Sequence, residues 1–410
     1  MQGALALFTS AIFTASSIYQ ITVAGLTPLQ LVLVGTTLEL SVFVFEVPTG
    51  VVADVYSRRL SIIIGMFLIG LGFLVEGTFP IFWLILLAQV LWGVGYTFTS
   101  GATEAWITDE IGEAAAGKAF LRGNQVDQVA SLAGIGLGML LGSLRISLPI
   151  QVGGVLIALV GVFLILLMPE TGFKPAASEE RNSWQNMAHT FRDGIATVRS
   201  RPALLTILSI GLIYGLYSEG YDRLWTKHIL DQFTFPLADR FQPVVWFGLI
   251  RAVGMLLSVG AAEVAQRKVQ TEQHLSVARA SWAISAALVV SLLVFALAKA
   301  LLVAVIAVWV ISMARNVIGP LYTAWVNQRL DSQVRATVIS MSSQVDAIGQ
   351  IAGGPAVGLI GNLVSVRAAL LTSGVILTPV LALYRIAIRR GEPGGSLEVQ
   401  DSPADAGEAL

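Results

Sequence analysis

The fold is decided by a short stretch between two apolar segments that are each long enough to span a bilayer. It reads Gly50-Val51-Val52-Ala53-Asp54-Val55-Tyr56-Ser57-Arg58-Arg59. A chain that turns within a few residues between packed helices needs a small residue such as Gly50 for close backbone approach. The Asp54 carboxylate can sit at a helix N-terminus, and the adjacent cations Arg58 and Arg59 favour the cytoplasmic side of a membrane. The stretch therefore predicts a tight cytoplasmic loop between two membrane helices.

The composition of the whole chain also indicates a membrane protein. Charged residues make up 12% of the 410 residues, against about 25% in ordinary soluble domains, and the mean hydropathy is +0.76. The chain has no cysteine, and its three histidines are scattered without metal-ligand spacing, which excludes disulfides and predicts no metal site. A net charge of −1 predicts no nucleic-acid partner. The sequence holds no nucleotide loop or catalytic triad, so we predict that the protein is not an enzyme.

The apolar residues form twelve segments of about 17 to 25 residues, the length that crosses about 30 Å of hydrocarbon as a helix. They lie near residues 3–25, 29–51, 59–79, 81–103, 118–143, 148–168, 202–222, 241–262, 275–297, 299–322, 335–361 and 364–388. The first begins almost at Met1 without a basic flank, so we do not interpret it as a signal peptide. The sequence predicts an all-α membrane protein with twelve transmembrane helices, called spans 1 to 12 here.

Lysine and arginine are distributed unequally between the two sides of the predicted membrane. The side opposite the Arg58–Arg59 loop holds only six of the 25, and Arg251 falls inside a span; the six are Arg145, Arg223, Lys227, Arg240, Lys299 and Arg367. This bias predicts that both termini are cytoplasmic. The polar residues 170–201 then form a cytoplasmic linker between an N-terminal half, residues 1–169, and a C-terminal half, residues 202–390. Residues 391–410, rich in Gly, Pro and acidic residues, are predicted to be a disordered cytoplasmic tail.

The two halves repeat each other in sequence. At an offset of 219 residues, the tripeptide at 105–107 resembles that at 324–326, and Gln125-Val126-Asp127 matches Gln344-Val345-Asp346. At an offset of 209, Asp54 and the two arginines match Glu263 followed by two basic residues. Parallel repeats of six helices occur in one large class of secondary transporters. We therefore predict two parallel six-helix repeats.

The loop at residues 50–59 resembles the signature of the major facilitator superfamily, in the loop between membrane helices 2 and 3. In that signature a Gly and an Asp precede a second Gly and two basic residues, and here Ser57 replaces the second Gly. The preceding stretch, residues 46–50, is typical of the drug-exporting branch with macrolide and tetracycline efflux proteins. The resemblance covers residues 1–390. It implies the major facilitator fold in a bacterial-type inner or plasma membrane, and proton-coupled export of amphipathic small molecules by alternating access.

The absence of one antiporter signature keeps other transport functions open. Antiporters of this superfamily carry a Gly-Pro signature in helix 5, which is missing here; the similar run Gly353-Gly354-Pro355 lies in span 11. The alternative function is an exporter or facilitator of an endogenous small metabolite. A large apolar cavity between the halves would favour a drug, and a small polar one a metabolite. We expect a small-molecule substrate, a lipid bilayer as the surroundings, a monomer, and a proton gradient in place of any cofactor.

The first group of candidate residues is a cytoplasmic lock. Gly50 permits the tight turn, and Asp54 is expected to approach the N-terminus of span 11, where unpaired N–H groups favour a carboxylate. Arg58 and Arg59 are expected to meet acidic residues at the end of span 4. These are Glu104, Asp109 and Glu110.

The second group consists of ionisable residues inside the spans, each of which costs about 2.5–3.5 kcal/mol on insertion scales. The candidates for proton coupling or for the substrate cavity are Glu39, Glu46, Asp127, Glu219, Asp222, Arg251 and Asp346. Glu39 is the first candidate for proton coupling because it is the most central unpartnered acid. Glu46 is expected to reach the interface or to pair with a neighbouring helix.

Three of these candidates carry specific expectations. Arg251 is expected to pair with Glu219 or with another acidic residue on a neighbouring helix, because a buried unpaired charge costs far more than a pair; the pair would be either a proton- or substrate-linked switch or a structural strut. Asp127 and Asp346 are related by the repeat, which suggests a role near the cytoplasmic gate, with a structural hydrogen bond as the alternative. Aromatic residues expected either to line a cavity or to pack and anchor are Trp92, Tyr96, Phe98, Tyr214, Tyr217, Tyr221, Trp225, Trp246 and Tyr322.

Overall fold

The computed structural model describes residues 1–175, 202–328 and 332–390, with the side chains of 202–204, 327–328, 332–340 and 390 left aside. The predicted tail and most of the predicted linker lie outside these residues. The described residues form fourteen α-helices and no strand. The helices are α1 (Gln2–Thr22), α2 (Pro28–Val55), α3 (Arg58–Thr78), α4 (Phe82–Thr99), α5 (Ala102–Ile111), α6 (Glu113–Leu144), α7 (Leu148–Leu167), α8 (Pro202–Gln232), α9 (Pro243–Lys268), α10 (His274–Leu297), α11 (Leu301–Gln328), α12 (Ser332–Leu363), α13 (Val366–Leu377) and α14 (Pro379–Arg390).

These helices make twelve membrane-crossing units, because two units are broken into two helices. Gly101, with φ +70°, separates α4 from α5, and Thr378 separates α13 from α14. Ten units of the described chain are long and apolar enough to cross a membrane. The other two, α8 and α12, are 31 and 32 residues long. The predicted all-α fold of twelve membrane helices is confirmed.

The largest boundary error concerns α8, which ends at Gln232 and not near residue 222. The sequence prediction stopped at the first cluster of charges. In the structure these charges pair along the helix at a spacing of four residues, Glu219 with Arg223 and Lys227 with Asp231. Such pairs stabilise a helix, so α8 continues through the charged segment.

The turn between α2 and α3 explains why serine can replace the second glycine of the loop signature. Ser57 has φ −174°, an extended conformation that any residue adopts. Its hydroxyl oxygen accepts a 2.9 Å hydrogen bond from the backbone N–H of Leu60. Ser57 is therefore the N-cap of α3, a position that serine favours.

Equivalent helix pairs recur in the two halves. In the first half α1 packs on α6, α2 on α4, and α3 on α4 and α7. In the second half α8 packs on α12, α9 on α11, and α10 on α11, α13 and α14. The sequence repeat is thus accompanied by a repeat of helix contacts within the described residues.

The halves meet mainly at one end of the bundle. We call the end that carries residues 50–59 the motif end, and the other the opposite end. Toward the opposite end α2 packs on α12 and α8, and α9 packs on α6 and α1. A Cβ on Gly358 of α12 would lie 3.0 Å from the Val32 side chain, and one on Gly142 of α6 would lie 2.9 Å from Val244. Small residues allow such close approach of helices.

The contacts loosen toward the motif end. A Cβ on Gly50 of α2 or on Gly319 of α11 would meet no neighbouring atom within 4 Å. The large side chains Leu121 of α6 and Tyr56 after α2 are exposed. Within the described residues the halves are therefore packed together at the opposite end and separated toward the motif end.

Candidate functional site

The motif loop is tied to its own half of the protein. Arg58 forms an ion pair with Asp109 at the end of α5. The Ser57 hydroxyl donates to Glu170 Oε2 at 2.7 Å, and the Arg59 backbone N–H donates to Glu170 Oε1 at 2.9 Å. The structure thus brings together Arg58 and Asp109 as expected, and their gating role stays a prediction.

The rest of the predicted lock is open in this conformation. Asp54 and Glu104 are exposed, and neither carboxylate makes a hydrogen bond or ion pair among the described residues. The expected contact between Asp54 and the N-terminus of α12 is not formed. Its absence agrees with the separation of the halves toward the motif end.

Two ion pairs lie on α8, near the centre of the protein. Glu219, with 3% of its surface exposed, accepts a 2.8 Å hydrogen bond from Arg223 Nε. Three residues after Glu219, Asp222 binds Arg315 of α11 through both carboxylate oxygens. The Oδ2–Nη2 distance is 2.8 Å. Two-point binding of this kind is the stronger geometry for an arginine and a carboxylate.

The Glu219–Arg223 pair lies directly against the other half of the protein. A Cβ on Gly35 of α2 would overlap the Glu219 carboxylate and the Arg223 guanidinium. A Cβ on Gly354 of α12 would lie 2.9 Å from the Thr36 hydroxyl. Glycine at position 35 is therefore what allows α2 to pack on this ion pair.

Glu39 lies one turn along α2 from Gly35 and is half-buried. It makes no hydrogen bond or ion pair among the described residues. The charges close enough to act on it are those of Glu219, Arg223, Asp346 and Asp222. The structure thus brings four of the predicted candidates into one electrostatic cluster, which we call the central cluster: Glu39, Glu219, Asp222 and Asp346, with the guanidinium groups of Arg223 and Arg315.

The central cluster has more carboxylates than cations. Arg223 neutralises Glu219, and Arg315 neutralises Asp222. Asp346 of α12 is held by the Gln350 side-chain amide at 2.8 Å, and Glu39 has no partner in the part of the chain that the structure describes. Four carboxylates therefore share two guanidinium groups.

The expected pairing of Arg251 with Glu219 is wrong. Arg251 of α9 donates from Nη1 to the backbone carbonyl oxygen of Phe13 in α1, which belongs to the other half. Glu219 pairs with Arg223, which the sequence analysis had placed in an external loop because it ended span 7 at residue 222. A partner one turn away on the same helix is available without any tertiary arrangement.

Two cavities lie beside the central cluster. The larger, about 530 Å³, lies between α8, α9 and α11. Its charged and polar lining consists of Asp222, Ser258, Arg251, Ser312, Arg315 and Asn316. The smaller, about 370 Å³, lies between α8, α11 and α12 and contains Asp346, Ser342 and Ser343. The central space of the protein is therefore polar as well as aromatic.

The predicted aromatic residues divide between the cavities and the core. Tyr221 and Trp225 line the larger cavity, and Tyr214 and Tyr322 line the smaller one. Trp92 instead packs in the first half, with its ring centroid 5.2 Å from those of Phe13 and Phe73.

Two predicted candidates stand apart from the central cluster. Glu46 is exposed on the motif-end part of α2. Asp127 of α6 is half-buried near α1, since the neighbouring Val126 side chain contacts Gly3. Asp127 Oδ1 is buried without a hydrogen-bond partner among the described residues. The repeat-related Asp127 and Asp346 thus have different surroundings.

Glu76 of α3, which is 1% exposed, is a further buried acid that the sequence did not indicate. Its carboxylate accepts hydrogen bonds from the Ser16 hydroxyl at 2.6 Å and from the side-chain amides of Gln20 at 2.9 Å and Gln89 at 3.1 Å. Glu76 lies close to the predicted end of span 3, at residue 79, and was not among the predicted candidates. The glutamines within apolar spans 1 and 4 were the signal that could have revealed it.

Comparison with known proteins places this architecture in one family. A family model described as Major Facilitator Superfamily matches residues 1–354. The chain is 23% identical over 384 residues to the uncharacterized MFS-type transporter YxaM of Bacillus subtilis (strain 168), covering 91% of each chain.

Solved structures show the same fold. The nucleoside transporter NupG superposes with a TM-score of 0.71 at 12% identity, over 95% of this chain and 98% of that chain. A bacterial homologue of the human lysosomal transporter Spinster, in an inward-facing conformation, gives 0.70 at 13% identity over 95% and 96%. The human organic anion transporter MFSD10 gives 0.60 at 16% identity over 93% and 97%. With its twelve-helix architecture and a family match that extends over most of its length, the chain belongs to the Major Facilitator Superfamily.

Proposed function

We propose that this protein is a proton-coupled secondary transporter that exports a small polar molecule by alternating access. Membership of the superfamily supports secondary transport and a non-enzymatic role. The observation that carries proton coupling is the excess of carboxylates in the central cluster, where Glu39 has no cation of its own.

A proton on Glu39 would favour the conformation described here. Because Arg223 neutralises Glu219 and Arg315 neutralises Asp222, ionised Glu39 chiefly faces the charge of Asp346 across the contact between α2 and the second half, and like charges repel each other. Moving α2 away from the second half relieves this repulsion. Protonation therefore stabilises the conformation with the opposite end closed, and loss of the proton favours its opening.

Coupling in this direction, in which protonation closes the opposite end, is the direction that a proton-driven exporter needs. The Lys and Arg bias puts the motif end in the cytoplasm, so the conformation described here would be open to the cytoplasm. A proton taken up outside would drive the protein into this state and then leave to the cytoplasm. The deprotonated protein would carry the transported molecule outward, as a monomer in a bacterial-type inner or plasma membrane with both termini cytoplasmic.

The cavities favour a polar molecule over a bulky apolar one. The larger cavity, about 530 Å³, is lined by Asp222, Arg251 and Arg315, and buried polar groups of this kind select partners that satisfy them. Export of amphipathic drugs is the second candidate. It is favoured by the residues that resemble the drug-exporting branch, 46–59, and by Tyr221 and Trp225 on the cavity wall.

The test is transport by purified protein in proteoliposomes loaded with a pH-sensitive dye. A panel of anionic, neutral and cationic compounds is screened for solute movement that is accompanied by proton movement. Glu39→Gln is expected to abolish uphill transport driven by the proton gradient and to leave downhill exchange measurable. Glu46→Gln, seven residues away on the same helix and exposed, is the matched control and is expected to behave as wild type. Equal accumulation by the wild type after a protonophore collapses the gradient would overturn proton coupling.

A further inference from the structure

We propose that Arg251 binds an anionic group of the transported molecule, so that the substrate is a small organic anion. This inference rests on the proposed transport function and names the chemistry of its substrate. It starts from Arg251, which lines the larger cavity and has no acidic partner among the described residues.

Arg251 lies on the wall of the larger cavity with most of its hydrogen-bonding capacity unused. Its guanidinium carries five N–H donors, of which one is used by the carbonyl oxygen of Phe13. Among the described residues no carboxylate oxygen lies within 4.0 Å of its nitrogens. Arg251 is only partly buried and lines the cavity.

The rest of the cavity does not supply the missing negative charge. Asp222, the acidic residue on its wall, is bound through both oxygens by Arg315. The side-chain amide of Asn316 donates to the Ser258 carbonyl oxygen at 3.1 Å, which leaves its own carbonyl oxygen as an acceptor. The lining therefore carries one net positive charge, and that charge is on Arg251.

An anion is the ligand that this site complements. A lone cation removed from bulk water is costly, and a partner with opposite charge offsets that cost. Arginine binds carboxylate and phosphoryl groups through paired hydrogen bonds. The aromatic rings of Tyr221 and Trp225 line the same cavity, which suits an apolar or aromatic body attached to the anionic group.

The position of Arg251 also links this site to the movement of the halves. Its present partner, Phe13, belongs to α1 in the first half, whereas Arg251 belongs to α9 in the second. Paired hydrogen bonds to an anion in the cavity reorient the planar guanidinium toward the anion, which weakens its contact with Phe13 across the halves. Binding of the anion therefore favours their separation along α1 and α9.

The test measures binding in detergent, without a membrane or a proton gradient. Benzoate and phenyl phosphate serve as anionic probes, benzamide as the neutral probe of the same shape as benzoate, and anilinium as the cationic probe. For the full-length wild type we expect benzoate or phenyl phosphate to raise the Tm in a saturable way, and benzamide and anilinium to leave it unchanged. The two anions distinguish a carboxylate from a phosphoryl substrate.

Arg251→Gln is expected to weaken the apparent binding of the anionic probe by about tenfold or more, since a charge-assisted hydrogen bond is lost. Arg251→Lys keeps the charge but not the paired donors, so its affinity for the anionic probe is expected to lie between those of the wild type and of Arg251→Gln. The lysine variant also provides the test if the glutamine variant folds poorly. Arg367→Gln is the matched control, because Arg367 is exposed and bonded to Gln232.

Equal Tm shifts from benzoate and benzamide, no shift from either anion, or undiminished binding by both Arg251 variants would overturn the proposal. These outcomes do not depend on proton coupling, which the Glu39 experiment tests separately.

Discussion

Replacing Gly35 by alanine is expected to open the opposite end of the protein. The added Cβ would overlap the Glu219 carboxylate and the Arg223 guanidinium, so either α2 or the ion pair must move. Glu219 is 3% exposed, which leaves its carboxylate little room. Overpacking of this kind costs about 1–3 kcal/mol, and only the conformation with the opposite end closed bears the cost. The ratio of closed to open molecules should therefore fall by about 5-fold to 150-fold.

The absence of cysteine from the chain makes this shift directly measurable. Cysteines introduced by Val23→Cys and Val364→Cys lie at exposed positions of the opposite end, one in each half, and can carry a pair of spin labels. In the wild type a short distance between them should dominate. In Gly35→Ala a longer population should replace much of it.

Gly50→Ala is the matched control for this experiment. Gly50 belongs to the same helix, but a Cβ there would meet nothing within 4 Å. Alanine at this position should leave the distances unchanged and stabilise the helix by up to about 1 kcal/mol. If Gly35→Ala kept the wild-type distance distribution, the inference that the ion pair holds α2 in place would be refuted.

Two further predictions concern buried charges. Arg315→Ala should lower the Tm more than the double change Arg315→Ala with Asp222→Asn, because the single change strands the Asp222 carboxylate without its partner; a double variant no more stable than the single one would refute this. Glu76→Ala should cost about 1–3 kcal/mol through the amide and hydroxyl groups that it leaves unsatisfied, whereas Glu76→Gln should lose less in a denaturant titration. Equal losses would show that the hydrogen bonds to Ser16, Gln20 and Gln89 do not stabilise the fold.

The number and order of the helices could be predicted from the sequence because both follow from hydrophobic length and repetition. A lipid-embedded helix must satisfy its backbone internally and be long enough to cross the bilayer. Both requirements apply to each span separately, so each span can be recognised from its own length and hydrophobicity. The contact between Arg58 and Asp109 could also be predicted, since it joins a loop to the end of a helix in the same half.

The pairing of buried charges could not be predicted, because it depends on where helices end and which faces meet. Arg223 was assigned to an external loop and Arg315 was not among the candidates, so Glu219 and Asp222 were left without cations and Arg251 was assigned to Glu219. In the structure α8 extends to Gln232, which places Arg223 inside the helix. A charged residue within a long apolar helix is interpreted as the end of the helix unless its ion-pair partner is recognised at the same time.

The two proposals together give proton and anion opposite effects on the same movement. The proton site lies where α2 contacts the second half. Protonation of Glu39 lowers the repulsion between α2 and the second half. The anion site lies where α9 contacts α1, and an anion on Arg251 competes with the carbonyl oxygen of Phe13. One ligand strengthens a contact between the halves and the other weakens one, so each disfavours the conformation that the other stabilises. Because linkage is reciprocal, binding of either ligand weakens binding of the other. Exchange of a proton for an organic anion requires this mutual weakening, and it needs no direct contact between the two ligands.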